Sequence, residues 1–265
     1  MTLSQTRTRD DYEKFCDDVR KLTKVDLSQY KRAQMERRIR TFVERRGVRS
    51  LAAYFEVLNG SAEEVDQFLD RVTINVSQLW RNPEQWDTLG RVLVPELAAA
   101  GKIRAWSAGC SYGAEAYTVA ATCLATAPSG TRVEVSGTDI DKRMVDRARA
   151  GVFSRDDART APRAYLERWF EPAGDGWKAN SELRRAVRFE TGDLLIDRIP
   201  TAAYDLVMCR NVVIYFTDEV KNALHARLAA SIRSGGYFIV GATERVADPA
   251  GMGLVPTQPF TYRKV

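Results

Sequence analysis

A turn rich in small residues follows a short apolar stretch near the middle of the sequence. Residues 106–115 have the sequence WSAGCSYGAE and overlap the end of the strand candidate Ile103–Ser107. Gly109 and Gly113 let the backbone pass close to a bound molecule, and the helix that follows offers free N–H groups. Tight strand-to-helix turns also use glycine for structural reasons alone. The turn has neither the Gly-Lys-Ser/Thr of a P-loop nor the G-x-G-x-x-G spacing.

An acidic residue follows the next strand candidate, Val133–Thr138. Asp139 at the tip of this strand is suited to accept hydrogen bonds from both ribose hydroxyls of a nucleoside cofactor, although Asp139 or Asp141 could equally cap the following helix. Together with the glycine turn, it indicates a nucleoside ligand, either NAD or S-adenosylmethionine. Glu115 favours the second, since an acid facing the turn attracts a cationic amino-acid end and repels a pyrophosphate.

The elements that must position these residues form an α/β pattern. From Ile103 onward, short apolar strand candidates, among them Tyr204–Cys209, alternate with amphipathic helices, among them Asp218–Ser234. This alternation predicts a mostly parallel sheet covered by helices. Residues 10–72 show helical patterns only, and the segment 73–89, with Asn82-Pro83, joins the two regions. We therefore expect a helical domain at 10–72, a linker at 73–89 that contributes to the cofactor site, and an α/β domain at 90–265.

Composition excludes several classes of protein. The 265 residues are 45% hydrophobic and 28% charged, and no apolar stretch approaches the ~18 to 20 residues of a membrane span. The polar N-terminus has no secretory apolar region, which favours the cytoplasm. Four cysteines without a CxxC pair make disulfide scaffolds and metal sites poor interpretations. His225, the one histidine, is expected to be a surface or hydrogen-bonded helix residue.

The positive charge is concentrated in one predicted helix, Gln29–Arg46. The window 31–49 contains eight basic and two acidic residues, a net charge of +6, while the whole chain has +5. At helical spacing, four basic residues follow one flank of an apolar stripe: Lys31, Arg38, Arg45 and Arg49. The flank is either a solvated helix face or a docking surface for an acidic protein or nucleic acid.

Longer motifs resemble the CheR family of chemotaxis protein-glutamate O-methyltransferases, from about residue 10 to the end of the chain. Residues 106–117 are similar to the family's W-S-A-x-C-S-T-G-E-E-P-Y, and residues 204–216 (YDLVMCRNVVIYF) to its F-D-x-I-x-C-R-N-V-x-I-Y-F. Residues 235–244 are similar to G-G-x-L-x-x-G-x-x-E, and residues 75–81 to N-x-T-x-F-F-R. The match of residues 204–216 is long and highly specific.

The resemblance implies a fold, a cofactor and a site. The fold is a Rossmann-like class I S-adenosylmethionine methyltransferase domain, with a mostly parallel sheet, an antiparallel last strand and a small inserted β-subdomain at about 165–188, after an all-helical domain. The cofactor is S-adenosylmethionine, with S-adenosylhomocysteine as product. Arg81 and Tyr215 are implied to lie near the transferred methyl group. The implied cofactor-binding residues are Asn75, Ser77, Arg81, Gly109, Glu115, Asp139, Asp193, Leu194, Asn211 and Val212.

The implied activity is methylation of receptor glutamates to methyl esters. An ionised carboxylate can attack a methyl donor without a general base, which suits a chain with one histidine. The implied partners are methyl-accepting chemotaxis receptors, docked on Lys31, Arg38, Arg45 and Arg49. The compact segment Glu171–Trp177 favours recognition without a C-terminal peptide tether. We further expect a monomer that reaches membranes only through receptors and uses no metal or nucleic acid.

Departures from the family pattern keep two alternatives open. Leu79-Trp80 replaces Phe-Phe, Tyr112 replaces Thr, Ala114 replaces Glu, Ala116 replaces Pro and Asp193 stands where Asn is common. These changes allow a cofactor-binding regulator with weakened catalysis. A pI near 9.0 allows a nucleic-acid methyltransferase. However, Cys209-Arg210-Asn211-Val212 at the end of the fourth strand lacks the Asn/Asp-Pro-Pro-Tyr/Phe signature of amine methylation, which disfavours this second alternative.

Overall fold

The chain folds into two compact units. The computed structural model describes residues 10–73 and 77–265. A helical unit comprises the described residues up to 73 together with Tyr215–Thr217. An α/β unit comprises the described residues 77–214 and 218–265.

Four α-helices form the described part of the helical unit. Asp10 begins the first by accepting a hydrogen bond from the Glu13 N–H (2.9 Å), and Ser50 begins the third in the same way. Such caps satisfy amides that a helix start leaves unpaired. The helices are α1 (Asp11–Thr23), α2 (Arg32–Arg45), α3 (Leu51–Gly60) and α4 (Ala62–Thr73). Their apolar faces pack around the rings of Phe15, Phe42, Tyr54 and Phe68.

The basic helix α2 is shorter than its sequence pattern predicted. A helix over Gln29–Arg46 was expected, with Arg49 continuing its basic flank. Instead, Gln29 closes a separate 3-10 turn, and Gly47 adopts a φ of +70° just after the helix. Because left-handed backbone ends an α-helix, Arg49 lies in the loop between α2 and α3. The predicted alignment of Arg49 with the basic flank of the helix was wrong.

The α/β unit contains one large and one small sheet. The strands are β1 (Lys102–Ala108), β2 (Arg132–Asp139), β3 (Val152–Phe153), β4 (Phe170–Ala173), β5 (Gly176–Ala179), β6 (Val187–Thr191), β7 (Tyr204–Cys209), β8 (Ile232–Val240), β9 (Leu254–Gln258) and β10 (Thr261–Lys264). Across the described residues, the large sheet has seven strands in the order β6-β2-β1-β7-β8-β10-β9.

The strand directions explain where a ligand can bind. Strands β6, β2, β1, β7 and β8 are parallel, and β10 is antiparallel to β8 and β9. The order of connections reverses between β1 and β7, and ligands of open α/β sheets bind at the carboxyl ends of the strands at such a point. The expected mostly parallel sheet with an antiparallel last strand is confirmed.

Helices cover this sheet and connect its strands. They are α5 (Pro83–Thr88), α6 (Val94–Leu97), α7 (Ala114–Thr126), α8 (Lys142–Ala150), α9 (Arg163–Trp169), α10 (Ser181–Ala186) and α11 (Asp218–Ser231). A π-helical segment, Leu89–Leu93, separates α5 from α6. Asp141 caps α8, because its carboxylate accepts hydrogen bonds from the N–H groups of Arg143 and Met144. Of the two aspartates considered for capping, Asp141 therefore has that role.

The small sheet has the order β3-β5-β4, with antiparallel pairing throughout. Its strand β3 lies before the residues 165–188 to which sequence analysis assigned the β-subdomain. Strands β4 and β5 are joined by a tight turn, since Ala173 pairs with Gly176 and Gly174 has a φ of +59°. This turn keeps the segment as compact as its sequence indicated.

Two further boundaries differ from expectation. The helix α11 was expected to continue to Ser234, but it ends at Ser231 because Ile232 pairs with Tyr204 at the start of β8. The edge strand β9 was not predicted, since its residues are mostly exposed and, among the described strands, β10 is its one neighbour. Among the described residues, no helix combines the length and apolar character that crossing a bilayer requires.

Candidate functional site

The turn after β1 brings two backbones into contact. Gly109 has a φ of +82°, and its N–H donates to the Thr138 carbonyl at 2.8 Å. A Cβ added at Gly109 would overlap the side chain of Val212. The loop after β7 therefore packs directly on the glycine turn, and only glycine fits the turn there.

Asp139 holds this turn from the tip of β2. Its Oδ2 accepts a hydrogen bond from the Ser111 N–H (2.7 Å), and its Oδ1 accepts one from the Asp141 N–H (3.0 Å). Burial raises the pKa of the Asp139 carboxyl to about 6. An ionised carboxylate has about four acceptor positions. The acceptor positions that the backbone contacts leave free suit the ribose hydroxyls expected there.

Glu115 forms a buried ion pair instead of standing alone as a negative charge. Its Oε2 lies 3.3 Å from Arg210 Nη1, and its Oε1 accepts a hydrogen bond from Ser107 Oγ at 2.7 Å. The Arg210 side chain is only 2% exposed. A cationic ligand group at Glu115 would therefore meet a carboxylate whose charge is already partly balanced.

Arg210 also connects the strand ends to the linker. Its Nη2 donates to the Arg81 carbonyl (2.9 Å) and to Asn82 Oδ1 (3.0 Å), and its guanidinium lies over the Trp86 ring. Desolvation lowers the pKa of Arg210, opposed by the charge of Glu115. The buried guanidinium thus fixes the backbone of a residue that sequence analysis placed beside the methyl group.

A second buried acid holds the loop after β7. Asn211 has a φ of +60°, and its N–H donates to Glu244 Oε2 (3.0 Å), which also accepts from the Gly241 N–H (2.6 Å). Burial raises the pKa of Glu244 above its usual range. Glu244 therefore ties the ends of β7 and β8 together and holds Asn211 in a left-handed conformation that costs energy.

The loop after β6 reaches the same edge of the sheet. The Gly192 N–H donates to the Asp139 carbonyl at 2.9 Å. Asp193 Oδ1 accepts from the Leu195 N–H, and the Leu194 carbonyl accepts from Arg227 Nη1. The backbone contact of Gly192 places Asp193 and Leu194 next to the tip of β2.

Tyr112, which replaces a threonine of the family turn, holds the linker in place. The Tyr112 hydroxyl lies between two acceptors, Asp157 Oδ1 (2.8 Å) and the Ser77 carbonyl, which share its single proton. The Arg147 guanidinium lies 3.8 Å from the Tyr112 ring centroid and pairs with Asp157. Burial and the neighbouring Asp157 raise the pKa of Tyr112. Tyr112 thus fixes Ser77 through its carbonyl.

Leu79 and Trp80, which also depart from the family pattern, are buried as well. Leu79 is fully buried, and Trp80 is 2% exposed, with its ring 5.0 Å from that of Tyr165. The Trp80 N–H donates to Thr118 Oγ1. Leu79 and Trp80 therefore pack the linker into the core of the α/β unit.

Several of the implied site residues share one edge of the α/β unit. Gly109 packs on Val212, and Asp139 accepts a hydrogen bond from Ser111 in the glycine turn. Glu115 pairs with Arg210, the neighbour of Asn211. The backbone contact of Gly192 with Asp139 places Asp193 and Leu194 beside them. Asn75 lies outside the described residues. Arg81 and Ser77 are tied to this edge through their backbone carbonyls, which accept from Arg210 and Tyr112. Tyr215 groups with the helical unit, where its carbonyl accepts from the Lys31 N–H at 2.8 Å.

Sequence analysis missed two residues at this edge. Arg210 and Glu244 occur in the quoted motifs, but neither was assigned a role. The signal for Arg210 was an arginine directly after a strand of apolar residues, where a charge needs a buried partner. Glu244 follows β8 by a short turn, so its burial depends on tertiary packing that the sequence does not show.

The fold and the site define a class of protein. A glycine turn after β1, an acid at the tip of β2 and a reversal of connections beside them fit a nucleoside cofactor. Residues 75–258 match the family described as "CheR methyltransferase, SAM binding domain", and residues 10–73 match "CheR methyltransferase, all-alpha domain". The chain belongs to the CheR family of methyltransferases and uses S-adenosylmethionine as its cofactor.

Named relatives match most or nearly all of this chain. A "Chemotaxis protein methyltransferase" of Listeria innocua is 35% identical over 257 residues, covering 96% of this chain and 97% of that protein. The "Probable biofilm formation methyltransferase WspC" of Pseudomonas aeruginosa is 30% identical and covers 83% of this chain and 53% of that protein. A solved S-adenosylmethionine-dependent methyltransferase from Mesorhizobium loti is 20% identical, with a TM-score of 0.35, over 59% of this chain and 52% of that one.

Proposed function

We propose that this methyltransferase transfers a methyl group to glutamate side chains of chemotaxis receptors, as a protein-glutamate O-methyltransferase. S-adenosylmethionine, when bound, supplies an electrophilic methyl group. A glutamate with a pKa of about 4.3 is ionised at neutral pH and attacks this carbon directly. The chemistry then needs orientation of two reactants and no general base.

One observation carries the choice of a carboxylate acceptor. The carboxylates described at this edge of the sheet all accept hydrogen bonds from groups that hold the loops in place: Glu115, Asp139, Asp193 and Glu244. His225 is buried in α11. None of these groups is arranged to remove a proton from an amine, whereas an ionised carboxylate has no proton to remove.

The cofactor is proposed to occupy the edge formed by the glycine turn. Asp139 would accept from the ribose hydroxyls, and Glu115 would bind the cationic amino-acid end. Ser77, Asp193, Leu194, Asn211 and Val212 would form the walls, with Asn75 from the linker. Arg81 and Tyr215 are proposed to orient the acceptor carboxylate, through guanidinium N–H groups and a hydroxyl.

Receptor docking is proposed on the basic flank of α2, with Lys31, Arg38 and Arg45, and on Arg49 in the loop that follows. Lys31, Arg45 and Arg49 are exposed, and Arg38 is half-buried. A glutamate-rich helix would be attracted to this surface, and the attraction should weaken as salt rises. The tight turn between β4 and β5 favours recognition that does not depend on a peptide tether.

The cofactor half of the proposal is tested by calorimetry with S-adenosylhomocysteine. Asp139→Asn should weaken binding at least ~10-fold, because an amide replaces one of the ribose acceptors. Binding to the native protein should weaken as the pH falls through about 6, since protonation removes acceptor positions from Asp139. The Asn variant should lack this step. Identical pH profiles for the two proteins would exclude Asp139 from the cofactor site.

The acceptor half is tested by tritiated-methyl transfer to receptor-containing membranes. Label that base treatment releases as methanol identifies a carboxyl ester. Charge reversal at Arg45 should lower labelling without changing S-adenosylhomocysteine affinity. Cofactor binding without any base-labile label would instead support a regulator, and base-stable label would indicate an amine acceptor.

A further inference from the structure

The connection from β6 to β7 contains a single turn of helical type. The Asp197 N–H donates to the Asp193 carbonyl at 2.9 Å, and Asp193 Oδ1 caps the start of the turn by accepting from the Leu195 N–H at 2.8 Å. We call residues 193–197 the crossover turn. An isolated helical turn is unstable in water, because one backbone hydrogen bond does not offset the entropy of fixing three residues. The crossover turn therefore depends on support from another element.

Arg227 on α11 supplies this support. Its guanidinium donates to three carbonyls of the crossover turn: those of Leu194 (2.7 Å), Leu195 and Asp197. These carbonyls are the groups that the next turn of a longer helix would pair. A guanidinium holds its N–H donors in one rigid plane, so a single side chain can replace that missing turn.

Backbone contacts anchor the connection on both sides of the crossover turn. At its start, the Gly192 N–H donates to the Asp139 carbonyl at the tip of β2. At its end, the Ala202 N–H donates to the Ala230 carbonyl of α11 at 2.9 Å. Between these anchors, Arg227 is the described side chain of α11 that donates to the crossover turn.

The strand order indicates which part of the cofactor the crossover turn faces. The strands run β6-β2-β1, and the proposed function places the amino-acid end at Glu115 after β1 and the ribose at Asp139 on β2. The base is attached to the other side of the ribose, so it extends towards β6. Asp193 accepts one backbone hydrogen bond, and a carboxylate offers about four acceptor positions. The exocyclic amine of adenine is a donor that fits such an acceptor.

We propose that Arg227 is a positioning residue that sets the selectivity of the enzyme for adenine. It holds the crossover turn so that Asp193 accepts a hydrogen bond from the exocyclic amine. This inference rests on the proposed position of the cofactor and deepens it. A site that hydrogen-bonds one ligand group rejects an analogue that lacks the group, because the acceptor in the site is then left unpaired. Such selectivity requires that the acceptor be held in place.

The test compares two ligands by calorimetry: S-adenosylhomocysteine, and S-inosylhomocysteine, which has a carbonyl in place of the exocyclic amine. Each is titrated into the native protein, Arg227→Gln and Arg227→Lys. Arg155→Gln is the matched control, because Arg155 Nε donates to the Asp175 carbonyl at 2.7 Å in the turn between β4 and β5. The control removes the same type of contact from another turn. Thermal unfolding of every variant is recorded in parallel.

The native protein should bind S-adenosylhomocysteine at least ~10-fold more tightly than S-inosylhomocysteine. Arg227→Gln should weaken S-adenosylhomocysteine binding about tenfold, as expected for one charged hydrogen bond, and leave S-inosylhomocysteine binding nearly unchanged. Arg227→Lys should resemble Arg227→Gln, because an ammonium keeps the charge but lacks the planar fork. Arg155→Gln should change both affinities by no more than about twofold, whatever its effect on thermal unfolding.

Equal weakening of both ligands by Arg227→Gln would show a merely structural role and overturn the inference. So would a native protein that binds both ligands equally. Recovery of selectivity by Arg227→Lys would contradict positioning by the planar fork and leave only a charge effect.

A second pair of variants tests whether Arg227 acts through Asp193. Asp193→Ala should weaken S-adenosylhomocysteine binding about tenfold, since it removes the acceptor for the amine. In that background, Arg227→Gln should weaken binding by no more than about twofold further. Effects of the two substitutions that multiply would show independent roles and overturn the inference.

Methyl transfer to receptor-containing membranes separates this inference from the proposed function. Arg227-dependent selectivity without base-labile label would keep the positioning role and reject glutamate methylation. Base-labile label from a protein whose selectivity does not depend on Arg227 would reject the positioning role alone.

Discussion

Arg210 and Glu115 form an ion pair that is buried on both sides, with 2% and 11% of their side chains exposed. The pair joins the end of β7 to the first turn of α7, on the two sides of the crevice where the sheet connections reverse. Arg210 then extends to the Arg81 carbonyl. A single guanidinium thus links the proposed cofactor acid to the linker.

Breaking this pair should cost stability. Arg210→Gln leaves the Glu115 carboxylate buried with Ser107 as its one remaining partner among the described residues. We expect a loss of about 3 to 5 kcal/mol in the free energy of unfolding. Urea denaturation followed by circular dichroism measures this loss. The double variant with Glu115→Gln should recover part of it, because it removes the uncompensated charge. If the double variant is no more stable than Arg210→Gln alone, the pair is not what stabilises the junction.

Gly109 offers a prediction with an internal control. Gly109→Ala places a methyl group against Val212 and also strains a backbone with a φ of +82°. Gly130 has nearly the same φ, +86°, but a methyl group there meets no atom within 4 Å. Gly130→Ala should therefore cost about 1 kcal/mol from strain alone.

Gly109→Ala should cost ~1 to 3 kcal/mol beyond that strain, from overpacking. It should also weaken S-adenosylhomocysteine binding by at least ~10-fold, because Val212 must move out of the proposed cofactor wall. Thermal unfolding and calorimetry on both variants check these values. Equal losses for the two alanine variants would show that the contact with Val212 is unimportant.

Much of the fold follows from local pattern. The strand Tyr204–Cys209 has the bounds that sequence analysis predicted, because its apolar residues are fully buried in a parallel sheet. The edge strand β9 was missed for the opposite reason, since exposed edge residues carry little hydrophobic signal. The end of α11 was misplaced because Ile232 suits either a helix face or a strand, and pairing with Tyr204 decides between them.

The site was predictable where chemistry depends on neighbours in sequence. Gly109 and Asp139 were found because each lies at the carboxyl end of a strand. The roles of Arg210 and Glu244 depend on partners that the fold brings from other strands and from the linker. No local pattern shows that Glu244 will accept hydrogen bonds from both Asn211 and Gly241.

The Tyr112 hydroxyl should be needed for cofactor affinity. Tyr112→Phe keeps the ring under Arg147 but removes the hydrogen bonds to Asp157 and Ser77, and we expect a stability loss of ~1 to 3 kcal/mol. Release of Ser77 should also raise the dissociation constant for S-adenosylhomocysteine several-fold. Calorimetry and thermal unfolding report the two effects.

Tyr117→Phe is the control for Tyr112→Phe. Its hydroxyl donates to the Ala148 carbonyl at 3.1 Å and does not contact the linker. This variant should lose stability while its affinity for S-adenosylhomocysteine stays native. Equal affinity losses in both tyrosine variants would mean that general loosening of the unit, and not the position of Ser77, weakens binding.

His225 is the clearest case in which an expected residue environment was wrong. It was expected on the surface or with a hydrogen-bond partner, but it is fully buried against Phe238, and neither ring nitrogen has a partner among the described residues. Burial, with a smaller contribution from Lys221, lowers the pKa of His225 to about 4. The unfolded chain, with a histidine pKa of about 6.5, therefore binds a proton more readily than the folded protein does.

His225→Leu should consequently stabilise the protein. At pH 7, removal of two unpaired buried polar atoms should add about 1 to 2 kcal/mol to the free energy of unfolding. Protonation of His225 does not lower the native protein's free energy of unfolding above pH 6.5, but it lowers it by up to about 3 kcal/mol as the pH falls towards 4. The leucine variant lacks this pH-dependent loss. Denaturation curves at pH 7.5 and 5 measure the difference, to which other titrating groups contribute equally in both proteins. A difference between the two proteins that does not grow as the pH falls would show that folding does not lower the pKa of His225.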